Sequence, residues 1–407
     1  MYLLDSCFLV SKALTNMTPK QISKEVQRIQ SRILAHRSYL HRYPELSFQE
    51  HNTMLFVADT LKKMGIKYEK GVGGTGVVGY IEAPKVSRWI GLRADLDALP
   101  IHEENDVEYK SLVPGVMHAC GHDVHTSILL GAAEILQKHK DKLPCSVKLI
   151  FQPGEEMSPG GANYMIEAGV LSNPELEYLV ALHVYPEMHV NNLGVRSGLY
   201  MASSDEIHLQ FEGVGGHGAL PENCVNPLSM AAEVILNAQN IIDKFHPEGV
   251  PTVLSFGRIE GLGSTNVIPS ECTLKGTLRT MDEAWRKEFF DRFTAFTQEV
   301  ASRYGGKVHF NRVSGYPFLK NDPHVTSIVK EALVGQFGSE HIEALPLRMT
   351  AEDFAFYSHK VPVSFFRLGV GDPAKAINYG VHHPKFDIHP GALAVGVEAM
   401  LAIVFNS

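Results

Sequence analysis

The chain has 407 residues, 44% of them apolar and 20% charged, and a net charge of −8. That length exceeds what one hydrophobic core usually serves, so two domains are expected, with one inserted in the other. The acidic balance, the lack of any Lys/Arg-rich run and the lack of an 18-residue apolar stretch argue against nucleic-acid and membrane partners.

The opening Met1-Tyr-Leu-Leu-Asp-Ser-Cys-Phe-Leu-Val lacks the basic start of a signal peptide. Five scattered cysteines (Cys7, Cys120, Cys145, Cys224 and Cys272) read as reduced thiols, so a cytoplasmic location is expected. Residues 19 to 42 read as a polar helix with Thr18 as N-cap and Pro19 at its first position, ending before Pro44. A second helix is expected from Glu50 to Met64, then glycine-rich turns between Gly71 and Gly76.

Short apolar runs then alternate with helical patterns: a strand Trp89 to Leu92, a helix Thr126 to His139, a strand Ser146 to Phe151, a helix from Ala162 and a strand Tyr178 to Leu182. This alternation predicts an α/β fold, a mainly parallel sheet covered by helices. Sites in such sheets form beyond the carboxyl ends of the strands, where Asp95, Asp97, Glu155, Glu156 and His183 fall.

From Gly198 the texture changes. Ile207 to Phe211 reads as a strand, Pro227 to Phe245 as a helix, Thr252 to Ile259 and Glu271 to Thr280 as strands, Glu283 to Tyr304 as a helix and Lys307 to Val313 as a strand. The order β-α-β-β-α-β is ferredoxin-like. Phe289, Phe293, Phe296 and Val300 give the second helix an apolar core face. After residue 314 the α/β texture returns, with a helix His324 to Phe337, a strand Val363 to Leu368 and a last helix from Pro390. The expected organisation is one α/β domain made of residues 1–197 and 314–407, with 198–313 inserted.

His118, Cys120, His122, Asp123 and His125 lie within eight residues. A single histidine is most often a core residue, but five metal-competent types together, ahead of an apolar helix, point to zinc or a similar ion. No second cysteine follows at short spacing, so a structural zinc ribbon is excluded and further ligands must come from elsewhere. In Phe151-Gln-Pro-Gly-Glu155-Glu156 a buried strand ends in two adjacent carboxylates, which point apart in extended chain, so one can face a metal and the other its water. The plainer alternative is acidic decoration of a helix N-terminus. His183 and His382-His383-Pro384 are the remaining candidates.

These segments, with His41-Arg-Tyr-Pro-Glu-Leu-Ser-Phe-Gln-Glu50, Arg93-Ala-Asp-Leu-Asp-Ala-Leu-Pro100, Gly215-Gly-His217, Thr265-Asn-Val-Ile-Pro269, Gly276-Thr-Leu-Arg279 and Glu352-Asp-Phe354, run in family order. In them the chain resembles the M20 peptidase family, in the branch of aminoacylases, hippurate hydrolases and auxin-conjugate amidohydrolases. The resemblance implies a two-metal amidohydrolase using zinc or manganese, with Cys120 bridging and His122, Glu156, His183 and His382 completing the ligands. It implies Glu155 as general base and acid, since a carboxylate beside metal-activated water can take its proton and pass it to the leaving amine. It makes 198–313 a lid and dimerisation domain whose His217 stabilises the oxyanion in the partner subunit of a homodimer, while Asn266 and Arg279 hold the substrate carboxylate. The implied substrates are N-acyl-amino acids or dipeptides, and the product is a free amino acid.

Glu222, Asn226 and Thr350-Ala351 depart from the family pattern, and Asp95, Asp97 and Asp123 read as carboxylates that orient ligands. Two other readings are a non-catalytic, metal-containing amino-acid-binding protein and a hydrolase with Cys120 as nucleophile activated by His122. A spacing of two residues suits a thiolate and its base poorly, and either reading leaves the paired carboxylates without a purpose.

Overall fold

Thr18 caps the helix Pro19–Arg42: its side chain accepts from the Gln21 amide while the Gln21 side chain returns to the Thr18 backbone, a complete capping box with Pro in the first turn. The computed structural model describes residues 17–372 and 379–407; the opening segment judged to lack a leader, and Cys7 with it, lie outside the described residues. Among the described residues no helix is long and apolar enough to cross a membrane.

The chain forms two compact units, one from the chain up to Gly198 with Lys320–Pro346 and Phe356–Ser407, the other from Leu199–Leu319 with Leu347–Ala355. The cut expected at 313/314 thus falls later. Ser204 N donates to Tyr316 O (2.9 Å) and Tyr316 N to Ser204 Oγ (3.0 Å), which ties the segment after residue 314 to the second unit. Leu347–Ala355 joins it because Arg348 N donates to Tyr200 O (3.0 Å) and Ala202 N to Arg348 O (3.2 Å).

The first unit is built on an eight-stranded sheet in the order Lys67–Val72, Gly76–Ile81, Ser146–Gln152, Trp89–Asp95, Tyr178–His189, Val363–Gly371, Leu193–Val195, Ile342–Ala344. Its four central strands are mutually parallel, as the sequence predicts, and antiparallel pairings bring in both sides. The central strands are buried on both faces and mainly apolar, with Arg93, Lys148 and Arg367 buried among the apolar residues. Helices Pro19–Arg42, His122–Lys138 and Gly391–Phe405 pack on one another, and their apolar faces share the core with the sheet. Two boundaries depart from expectation. The helix placed at Thr126 starts at His122, and the strand expected to stop at Leu182 continues to His189, so His183 lies within it.

The second unit has a four-stranded antiparallel sheet in the order Thr252–Glu260, Glu271–Thr280, Asp205–Glu212, Lys307–Ser314. Its helical layer is Glu283–Arg303 and the expected Pro227–Phe245 helix, which divides into Pro227–Asn237 and Gln239–Phe245. Phe289, Phe293 and Val300 enter its core with Ile207, Leu209 and Phe211. Asn226, one of the departures, accepts from Leu228 N (3.0 Å) and serves as N-cap.

Candidate metal centre

The helix His122–Lys138 begins immediately after Gly121, whose φ of 84° is left-handed. A Cβ at Gly121 would lie 2.7 Å from Val184 Cγ2, so only glycine lets the chain turn here and bring Cys120 and His122 against the strand that carries His183. Glu155 and Glu156 follow the end of Ser146–Gln152, and Asp97 follows the end of Trp89–Asp95. His382 sits at φ 66°, and its N–H donates to Ala119 O (2.8 Å), tying the C-terminal loop to the same cluster.

His122 Nδ1 lies 3.2 Å from Asp97 Oδ1 and donates to it, which leaves Nε2 as the nitrogen facing the rest of the cluster. That Nε2 is buried without a hydrogen-bond partner, 3.7 Å from Asp95 Oδ2 and 4.0 Å from Glu156 Oε1. His183 Nδ1 donates to Val184 O (2.8 Å), turning Nε2 toward Cys120 Sγ at 3.3 Å. His382 Nε2 is 3.1 Å from Glu156 Oε1, yet that oxygen too is buried without a properly oriented hydrogen bond.

Of the groups of potential ligand atoms gathered within 4.8 Å, two contain Cys120, namely Cys120/His122/His183 and Cys120/Glu156/His382. Sharing Cys120, the sets have the form of a dinuclear site. Buried polar atoms without partners are costly, and a cation between them removes that cost. Thiolate, imidazole and carboxylate together suit zinc-like divalent ions, so the residues fit the implied metals.

The electrostatics agree. Burial opposes charge on His122, but Asp95, Asp97 and Glu156 outweigh it and raise its pKa to about 10, so the pocket attracts positive charge. Burial first, then the Glu156, Glu155 and Asp95 charges, push the Cys120 thiol well above its ordinary value. An activated nucleophilic cysteine requires the opposite shift.

His125 is a support and not a ligand: Nδ1 meets Asp95 Oδ1 at 2.6 Å and Nε2 accepts from Val184 N at 3.0 Å, so neither nitrogen is free. Asp123 Oδ2 accepts from Arg37 Nε (3.0 Å) and His41 Nδ1 (2.8 Å), anchoring the first turn of the helix to Pro19–Arg42. His118 is buried, and desolvation lowers its pKa to about 4, so the ring is neutral.

His217 and Asn266 come together in the second unit, where Gly216–His217 pairs with Val267–Ile268 and Gly218 N donates to Asn266 O (2.8 Å). His217 is exposed, with Nδ1 accepting from Ala219 N (3.1 Å). Arg279 lies apart from them on Glu271–Thr280, opposite Val253, and its guanidinium has no hydrogen-bond or ion-pair partner among the described residues. Burial lowers its pKa, partly opposed by the charges of Asp205 and Glu206. Ser47 and Glu50 carry no local sequence signal of the role their contacts show. Ser47 Oγ donates to Asp97 Oδ2 (2.6 Å) and Glu50 Oε1 accepts from Gly154 N (2.8 Å), beside the paired glutamates.

Comparison with known proteins bears on this geometry. The model of Peptidase family M20/M25/M40 matches residues 91–406. The chain is 36% identical over 393 residues to thermostable carboxypeptidase 2 of Saccharolobus solfataricus, covering 95% of this chain and 99% of that one. It is 36% identical over 380 residues to N-acetyl-L-cysteine deacetylase of Bacillus subtilis, covering 93% and 89%. The crystal structure of the Bacillus subtilis YXEP protein, a dinuclear metal binding peptidase from the M20 family, matches with a TM-score of 0.78 at 29% identity, covering 93% of this chain and 98% of that one.

Proposed function

Because the chain belongs to peptidase family M20/M25/M40 and is a metallo-amidohydrolase, we propose that it cleaves the amide bond of N-acyl- or N-aminoacyl-amino acids and releases the free amino acid. The observation that carries this reading is the pair of three-ligand sets sharing Cys120, with Glu155 beside them in the set His122/Glu155/Glu156. The deacetylase among the relatives supports an acylated amino acid, and the carboxypeptidase supports dipeptides.

Cys120, His122, Glu156, His183 and His382 would hold two zinc or manganese ions. Such ions lower the pKa of water and polarise the amide carbonyl. Glu155 takes the proton of the attacking water as the new C–O bond forms, and delivers it to the amine nitrogen as the C–N bond breaks. Asp97 holds the Glu155 amide in place through its Oδ1 (3.0 Å). By resemblance His217 donates to the oxyanion in the other subunit of a homodimer, while Asn266 and Arg279 grip the substrate carboxylate.

The deciding assay is thorough chelation followed by metal add-back. It runs across N-acetyl-, N-benzoyl- and indoleacetyl-amino acids and dipeptides, reading released amine. Loss on chelation and return with zinc or manganese is expected; full activity without metal would restore the Cys120 thiol mechanism, and silence across the whole panel would favour a binding protein. The homodimer is supported by the edge strand Thr252–Glu260, which leaves Val253 and Ile259 exposed and its outer backbone edge without a partner strand among the described residues. Light scattering should give twice the chain mass, and a monomer would remove His217 from the other copy's site. A cytoplasmic location and small-molecule substrates complete the proposal, supported by free thiols at Cys120, Cys145, Cys224 and Cys272.

A further inference from the structure

The segment from Glu45 to Glu50 is built unlike an ordinary entry to a helix. Glu50 is the N-cap residue of His51–Lys63, but its side chain makes no capping bond. The capping is done by Glu45, whose carboxylate accepts from Asn52 N (3.1 Å) and Thr53 N (2.8 Å). Glu50, fully buried, reaches instead across 104 residues of sequence to Gly154 N, and its other oxygen accepts from Thr75 Oγ1 at 2.5 Å. Ser47 is directed to the same place through Asp97, whose two oxygens accept from Glu155 N and Glu156 N, each at 3.0 Å. Three consecutive amides, 154 to 156, are thereby held by two carboxylates.

Phe48 closes the arrangement. Its backbone is left-handed at φ 62°, a costly conformation for an aromatic residue. A Cβ on Gly154 would meet the Phe48 ring at 2.4 Å, so the ring lies directly on the turn, and it contacts Tyr164 edge-on at a centroid distance of 5.6 Å. Leu46 bridges to Ala98, and Ala98 N donates to Glu45 O (2.8 Å), so the segment also grips the loop that carries Asp97. A helix cap is given to another residue and a strained backbone is tolerated, and both of these departures serve the turn that bears Glu155.

We propose that residues 45–50 form a brace that fixes the position of Glu155, and that Glu50 is its principal positioning residue. The proposal rests on the reading of Glu155 as the general base. A base held loosely still lets substrate and metal bind but seldom reaches the reactive geometry, so the loss falls on kcat.

The test is Glu50→Ala, read by kcat, KM, metal content and hydrogen exchange of the 152–157 peptide. A kcat loss of roughly 10²-fold is expected, with KM within about threefold of wild type. Two metals per chain and faster exchange of the turn amides should accompany it. Glu50→Gln should recover most of kcat, because its amide oxygen can accept from Gly154 N while its NH2 meets the rotatable Thr75 hydroxyl. If Glu50→Ala does not fold, Thr75→Val, which frees only one Glu50 oxygen, should show the same pattern at about tenfold.

Unchanged kcat and unchanged exchange would overturn the brace. So would a kcat loss that tracks metal loss and is reversed by added metal. The exchange measurement needs no substrate, so a wild-type protein inactive on every amide would sink the functional reading and leave the brace to be judged by exchange alone.

Discussion

Glu155→Gln is expected to lower kcat by about 10³-fold or more while leaving two metals bound. General acid–base catalysis by a positioned side chain contributes roughly 10²- to 10⁴-fold, and Glu155 is proposed to work twice in each turnover, once on the water and once on the amine. Glutamine has the same shape and keeps the packing of a side chain that is only 6% exposed, so the substitution removes proton transfer and little else. Its backbone N–H remains on Asp97, because that hydrogen bond does not involve the side chain. Metal content and steady-state rates, measured on one preparation, separate this outcome from loss of the centre. A near wild-type rate would take Glu155 out of the mechanism. An inactive variant that has also lost its metals would mean that the carboxylate acts as a ligand.

Much of the fold was legible because its signals are local. Thr18, Pro19 and Gln21 lie within one turn of each other, and their capping box fixes the start of the first helix. Parallel strands buried on both faces carry runs such as Ser146–Gln152 that declare themselves without knowledge of their partners. Apolar periodicity places the start of the helix at Thr126, four residues late, because its first turn, His122, Asp123 and His125, is polar. Those side chains serve the centre, and apolar periodicity takes over only after them. The local sequence makes His183 a strand end, yet pairing with Val363–Gly371 carries the strand on to His189, and a pairing between segments so distant in sequence leaves no local mark.

The candidate centre was legible in a different way. The eight-residue cluster announced a metal, but the convergence of Glu156, His183 and His382 on Cys120 came only from resemblance. Glu50 lies beyond both signals: nothing near it in sequence reveals that it holds a glycine amide 104 residues away.

The same logic makes Asp97→Asn a severe substitution. Asp97 is 1% exposed and receives four donors: His122 Nδ1 (3.2 Å) and Glu155 N (3.0 Å) at Oδ1, and Glu156 N (3.0 Å) and Ser47 Oγ (2.6 Å) at Oδ2. Asparagine has one accepting oxygen, so its NH2 must face either the Glu156 amide or the His122 and Glu155 donors, and donors then oppose one another. Each buried donor left without an acceptor costs about 1–3 kcal/mol. Loss of the group that orients a metal-binding imidazole costs roughly 10- to 100-fold in metal affinity. Asp97→Asn should therefore weaken metal binding by that factor, and it should remain slow at saturating metal because the Glu155 turn is displaced as well. Asp97→Ala should be no worse, since water can enter the vacated space and accept from the same donors. Titration of metal affinity and kcat at saturating metal for both variants checks this order. If Asp97→Asn were clearly the milder change, or kept wild-type metal affinity, the full four-donor carboxylate would not be what joins His122 to the catalytic turn.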